Sequence, residues 1–296
     1  MTDILTYDTF SKIEPVAKGW SDDKKHYIEY ADGIPYRLKS PFDFSFLSKY
    51  GKIFKVFDGQ YSGNICFGVA DGDNRYFVKF AGAPTARYNG DTADVVARLK
   101  AALPVYQDLA HPNLIKFIRA EKIGGGFAMV FEWVDAICAQ RMYPADYKAF
   151  RELSLETKQQ IFADIMDFHS HIAAKGYVAI DFYDESIMWD VKNQRTIICD
   201  IDFYQKSPYV GSMGLWGSSR FVSPEERTEG AVIDEVTNVY TMGATAFCLF
   251  ANSDRSPEAW PLSPELYTVV KKAVSDGRGE RQQSILQLIE EWRIAK

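Results

Sequence analysis

Gly217-Ser218-Ser219-Arg220-Phe221-Val222-Ser223-Pro224-Glu225 is the stretch whose neighbours organise the rest of the chain. Ahead of it, Ile197-Ile198-Cys199-Asp200-Ile201-Asp202-Phe203-Tyr204 reads as an apolar strand running into an aspartate. Behind it, Thr237-Asn238-Val239-Tyr240-Thr241-Met242-Gly243 opens an apolar helix. Farther on, Arg281 precedes a last helix that holds Glu291-Trp292.

The chain has 296 residues, enough for one large domain or two ordinary ones, with 47% hydrophobic and 25% charged residues. That is ordinary for a globular protein able to bury a sizeable core. The net charge of -6 offers no global basic field to nucleic acid or an acidic membrane, so neither is expected as a partner. The cysteines Cys66, Cys138, Cys199 and Cys248 form no C-x-x-C pair and sit in apolar stretches, as reduced core thiols do. His26, His111, His169 and His171 do not combine with them into a zinc pattern. The opening MTDILTYDTF lacks the basic start and apolar core of a secretory signal. The apolar run from Val239 to Phe250 is too short for a bilayer. A cytoplasmic protein is expected.

The front of the chain is strand-rich. His26 to Tyr30 and Ile34 to Leu38 flank the turn signal Asp32-Gly33. Ile53 to Phe57, Asn64 to Val69 and Tyr76 to Phe80 read as strands, with turn chemistry at Asp71-Gly72-Asp73-Asn74. A helix is predicted from Asp91 to Asp108, kinked or ended early by Pro104. Strands follow at Leu114 to Ala120 and Phe127 to Trp133, around Gly124-Gly125-Gly126. Beyond Val134 the pattern turns helical. Ile161, Ile165, Phe168 and Ile172 give Leu155 to Ala174 a helical stripe. Short strands at Ser186 to Trp189 and Thr196 to Cys199 interrupt, and helices run from Ile233 to Ser284–Ile294. The expected organisation is an N-terminal extension with a hairpin over 1–45, a β-rich lobe over 46–135 and a helical lobe over 136–296. A cleft between lobes is a common ligand site.

Asp58-Gly59-Gln60-Tyr61-Ser62-Gly63-Asn64-Ile65 followed by Val78-Lys79 pairs a glycine turn with a lysine on the next strand. Such a turn lets backbone N–H groups approach phosphates, and the lysine adds a point charge. By themselves these residues also suit a surface hairpin with an exposed lysine. Taken with His111-Pro112-Asn113, with Phe131-Glu132-Trp133-Val134, and with the segment ending in Ser223-Pro224-Glu225, the order resembles the protein kinase family over roughly residues 53 to 293. The resemblance implies an α+β, bilobal protein-kinase-like fold, a β-rich N-lobe and a helical C-lobe. It implies that ATP is held by Gly59, Gly63, Ile65 and Lys79 and by the backbone of Glu132 and Val134. Asp202 would bind Mg²⁺, with Asp200 a rival two residues earlier. Ser218 would help place the substrate segment, and Glu225 would pair with Arg281 as a structural brace.

The family's catalytic loop appears in altered form. Asp181 keeps the aspartate that accepts the proton of the attacking hydroxyl. The preceding His-Arg is Ala179-Ile180, the lysine two residues on is Tyr183, and the metal-binding asparagine is Ser186. Tyr204 replaces the glycine of Asp-Phe-Gly, where any need for positive φ is harder to meet. Asn238 replaces the aspartate that braces the loop. The glutamate that should partner Lys79 falls on Ala102, with Asp91 or Asp94 as possible substitutes. Lys18 to Glu29, Asp32-Gly33 and Tyr36-Arg37-Leu38 resemble the opening hairpin of aminoglycoside-phosphotransferase-like kinases, a likeness confined to about residues 18 to 39. Three functions stand open: a protein serine/threonine kinase acting on an unknown protein, a pseudokinase that binds nucleotide or a partner without transfer, and a small-molecule kinase.

Overall fold

The computed structural model describes residues 19–21, 26–210 and 218–296. The opening MTDILTYDTF, Lys18, the stretch 22–25 and Gly217 lie outside them. The chain is α+β, β-rich toward its N-terminus and helical later. It forms two compact units. One runs to Ala110 and takes in Ile115–Asp135; the other comprises His111–Leu114 and Ala136–Lys296.

The first unit begins with β1 (Gly19–Ser21), β2 (His26–Ala31) and β3 (Ile34–Leu38), an antiparallel sheet. Asp32 and Gly33 turn between β2 and β3 with φ of 51° and 86°, the left-handed pair that a two-residue hairpin requires. Next come β4 (Lys52–Phe57), β5 (Ile65–Asp71), β6 (Asn74–Ala81), α1 (Thr92–Asp108), β7 (Phe117–Ile123) and β8 (Gly126–Glu132). The five strands form one antiparallel sheet in the order β4-β5-β6-β8-β7. Side chains alternate across it. Ile65, Phe67, Val69, Val78, Phe80, Ala128 and Val130 join Tyr36, Leu38, Phe44 and Leu47 in one buried cluster. On the other face Tyr106 of α1 meets Phe131 with ring centroids 4.9 Å apart. Pro104 does not end α1, which continues to Asp108. Val105 and Tyr106, just past the proline, are buried, and that packing outweighs one lost backbone hydrogen bond. The strand expected from Leu114 starts instead at Phe117, because Leu114 belongs to the second unit and forms a parallel bridge there with Ile198.

One carboxylate fixes β3 to the loop after β4. Asp58 accepts hydrogen bonds from the Arg37 backbone N–H, Nε and Nη2, each at 2.8 Å. Both side chains are largely buried.

The second unit holds β9 (Ile137–Cys138), α2 (Pro144–Arg151), α3 (Leu155–Ala174), β10 (Tyr177–Val178), β11 (Ile187–Asp190), β12 (Arg195–Ile198), β13 (Gln205–Lys206), β14 (Tyr209–Val210), β15 (Val232–Ile233), α4 (Glu235–Ala251), α5 (Pro264–Ala273) and α6 (Ile285–Ala295). Ser154 caps α3, its Oγ accepting from Thr157 N. The stripe Ile161, Ile165, Phe168 and Ile172 is buried. α4 starts in a capping box of Asp234 and Thr237 and is buried all round from Thr237 to Ala251. A helix apolar on every side belongs at the centre of its unit, and α3, α5 and α6 pack against it. Among the described residues no helix is long and apolar enough to cross a membrane.

Asp58→Ala strands the Arg37 guanidinium. It is expected to lower the unfolding free energy by about 3 kcal/mol, the scale for breaking a buried pair. Urea denaturation checks this, with Asp73→Ala on an exposed turn as the near-neutral control. Equal effects of the two would show that the Arg37–Asp58 contact carries nothing.

Candidate functional site

The second unit gathers several of the residues singled out in the sequence. After β10 the chain turns through Ala179-Ile180-Asp181, and Asp181 takes φ of 65°. Aspartate tolerates that region better than most residues, but it persists only where the surroundings impose it. Two contacts impose it here. Asn238, buried on α4, donates from Nδ2 to Ala179 O and accepts at Oδ1 from Ala179 N, both at 2.9 Å. An amide thus clamps the donor and the acceptor of one peptide residue. Phe182, the next residue, is buried against His169 with centroids 4.4 Å apart.

Asp181 lines a small recess with Ala179, Ser218, Phe221, Glu226 and Thr241. Asp181 and Ser218 therefore share one site. Glu226 is a second carboxylate there. Burial pushes its pKa up, against hydrogen bonds from Ser223. The sequence drew attention to Glu225, and its neighbour carried no signal beyond adjacency.

The 218–225 segment is tied to the aspartate loop by an ion pair that motif reading missed. Arg220 Nη2 donates to both carboxylate oxygens of Asp184 at 2.8 Å. Its Nε reaches Ser218 Oγ at 3.1 Å, and Nη1 reaches Ser253 Oγ at 3.2 Å. Asp184 is 3% exposed, a strong hint that it needs a cation. Neither residue occupies a position that the kinase pattern marks. Tyr183, where that pattern has a lysine, is a neutral phenol whose pKa is pushed far up by burial and then by Glu185 and Asp181.

Glu225 and Arg281 meet as a bidentate pair at 2.7 and 2.9 Å, with Arg281 only 2% exposed. Arg278 Nη1 and Thr237 Oγ1 also donate to Glu225 Oε1. Burial is the largest influence and acts to raise the Glu225 pKa, but the hydrogen bonds and charge of Arg281, a backbone hydrogen bond and the Thr237 hydroxyl together outweigh it and hold the carboxyl below its ordinary value.

Asp202 is buried, whereas Asp200 is exposed and left-handed with φ of 58°. The positive φ thus falls on Asp200, and Tyr204 escapes the strain anticipated for it. The Tyr204 ring is fully buried, and its hydroxyl donates to His169 Nε2 at 3.2 Å. His169 Nδ1 donates to Ile165 O at 2.7 Å, which fixes a neutral tautomer. Burial lowers the His169 pKa to about 4.

Ser186 Oγ is buried and makes no hydrogen bond to any described residue. An orphaned oxygen of this kind fits a position facing a bound cation or water, so a divalent metal is compatible with Ser186. Among the described residues no group of three or more His, Cys, Asp or Glu could hold a metal. A cation held by Ser186 and by the carboxylate expected of Asp202 would draw its remaining ligands from phosphate or water.

In the first unit Lys79 is 8% exposed, which removes the alternative of an exposed hairpin lysine. Glu132 N donates to Lys116 O at 3.0 Å, so that N–H is not available to a base. Val134 is half-buried beside it. Ile65 was expected at the nucleotide and is not placed for it. It pairs with Phe80 and lies in the buried cluster, on the face opposite Lys79. Cys66 pairs with Lys79 instead, because the period of two turns every second side chain away. Gly59 is buried. Gly63 has φ of 86°, and a Cβ there would sit 2.6 Å from Val95 Cγ2 and 2.9 Å from the Tyr88 ring. Close packing against α1 explains this glycine without a phosphate. Ala102 is fully buried, and Asp91 and Asp94 are exposed, with Asp91 spent on capping α1. Neither aspartate partners the buried Lys79. In the hairpin, Lys39 Nζ bonds Tyr88 O and Asn89 Oδ1.

No protein family model matches the chain, and no curated protein matches it.

Because the folded pKa of Glu225 is depressed, its contribution to stability is fully present above the ordinary glutamate range. It is lost as pH falls through the folded value. Glu225→Gln is expected to lower stability at pH 7 by about 3 kcal/mol and to flatten the acid loss below pH ~4.5. Thermal melts from pH 7 to 3 check both effects. Parallel curves for the two proteins would remove the pair as the cause.

Proposed function

We propose that the chain is a phosphotransferase of the bilobal protein-kinase type, dependent on ATP and Mg²⁺, with a protein serine or threonine hydroxyl as acceptor. The observation that carries this reading is Asp181, held left-handed by the Asn238 clamp and lining one recess with Ser218. A carboxylate fixed in that way can orient a hydroxyl and accept its proton. Lys79 would hold phosphate oxygens, and Asp202 with Ser186 would hold Mg²⁺, which neutralises phosphate charge. Arg220 and Glu225 would keep the acceptor segment in place from its two ends.

A pseudokinase is the second reading, favoured by two observations. Ile65 lies in the buried cluster rather than on the Lys79 face, and the metal position offers one serine oxygen in place of an amide. Under that reading nucleotide or a partner binds and no phosphoryl group moves. The small-molecule reading leaned on the hairpin, whose Arg37 and Lys39 are engaged with Asp58, Tyr88 and Asn89.

Calorimetric titration with ATP, with and without Mg²⁺, is expected to give Mg²⁺-dependent binding that weakens in Lys79→Ala. Asp181→Asn should leave that binding near normal and cut turnover on a generic protein substrate by roughly 10² or more. Binding without any transfer by the native protein would favour the pseudokinase. Undiminished turnover in Asp181→Asn would end the role given to Asp181.

A further inference from the structure

β5 and β6 divide their side chains between two faces of the sheet. Ile65 pairs with Phe80 on the face of the buried cluster, and Cys66 pairs with Lys79 on the other. Asn64 directly precedes β5, and the period of two puts it with Cys66, on the Lys79 face. Diagonal neighbours across an antiparallel pair lie about 7 Å apart, within reach of a long side chain. Asn64 and Lys79 are thus two polar residues on one side of one sheet, 3% and 8% exposed.

The turn that carries Asn64 is held from α1. Arg98 donates to Ser62 O, and Gly63 packs against Val95 and Tyr88 too closely for a Cβ. Ser62 Oγ accepts from Asn64 N at 3.5 Å and from Asn64 Nδ2 at 3.2 Å. One end of the amide is therefore engaged. The other end, Oδ1, is buried and makes no hydrogen bond. A buried amide satisfied at one end only is costly, and a fixed one faces water or a ligand. A serine hydroxyl donates as readily as it accepts, so the amide can turn over. Ser62 Oγ then donates to the amide oxygen, and the NH₂ group takes the outward position.

The lysine decides which end a ligand meets. A group bound between an ammonium and an amide is an oxyanion, which gains charge from the first and an N–H bond from the second. A metal ion or an organic cation would be repelled by Lys79. We infer that Asn64 Nδ2 donates to a phosphate oxygen of the bound nucleotide, beside Lys79. The inference rests on the nucleotide reading above and adds to it a side-chain amide that does what backbone N–H groups do in a glycine turn. Gly63 can then be spent on packing and Ile65 on the core without loss of hold on the phosphates.

The test is calorimetric titration of the full chain at pH 7 with three probes: ATP with Mg²⁺, tripolyphosphate with Mg²⁺, and adenosine. Asn64→Ala is expected to weaken ATP and tripolyphosphate about tenfold, the scale of one hydrogen bond to a charged group, and to leave adenosine unchanged. Asn64→Asp keeps the shape and sets a carboxylate against the phosphates, so it should weaken both further. It also carries the test if the alanine variant does not fold. ATP binding that weakens in Lys79→Ala and is untouched by both Asn64 variants would overturn the inference and leave the nucleotide reading standing. Weakened adenosine with unchanged tripolyphosphate would move Asn64 to the nucleoside end and overturn it as well. No binding of ATP by the native protein would overturn both.

Discussion

The Glu225 carboxylate is the point on which the second unit turns. Four donors converge on it, from Arg281, Arg278 and Thr237. Arg281 in turn gives Nε to Ser275 O at 2.7 Å, and Arg278 spans Asp234 with two bonds. One acid therefore ties the irregular segment before it to the first turn of α4 and to the loop ahead of α6. A buried charge of this kind is strongly stabilising only while every partner is present. That requirement makes the local arrangement close to all-or-none.

From that anchor the site is built by short steps. α4 is held at its N-terminus by the Asp234–Thr237 box. It presents Asn238 one residue later to the Ala179 peptide. The clamp sets the backbone that carries Asp181. Arg220, upstream of Glu225, closes the circuit by gripping Asp184 on the same loop. Both ends of the aspartate loop are thus fixed by groups from the helix and the segment, and neither fixation requires a phosphate on the chain. His169 and Tyr204 fill the space beneath with a neutral hydrogen-bonded pair. That pairing gives the tyrosine in the Asp-Phe-Gly-like position a packing role.

Much of the secondary structure was legible locally. The period of Ile161, Ile165, Phe168 and Ile172 placed α3 from Leu155 to Ala174. Asp32-Gly33 placed the first hairpin. Errors arose where tertiary packing overrode a local rule. Pro104 predicts a kink or an early end, and the burial of Val105 and Tyr106 carries the helix past it to Asp108. Leu114 was read as a strand start, and its bridge to Ile198 takes it out of the sheet. In the site, Arg220 and Asp184 were invisible because their pairing spans 36 positions and neither lies in a recognisable motif. The phosphate-loop register failed at Ile65 because motif spacing counts residues and does not say which face of a strand each one takes.

The sequence by itself located most of the helices and strands, through apolar period, turn residues and caps, all set by neighbours a few positions away. It also marked Asp181, Ser218, Glu225 and Arg281 as worth watching. Only the tertiary structure decided which of these share a recess and which charges are matched. It alone turned Ile65 away from Lys79 and moved the left-handed residue from position 204 to Asp200. The reason is that burial, charge pairing and hydrogen-bond satisfaction are properties of surroundings assembled from distant parts of the chain. A local pattern constrains those surroundings and does not specify them.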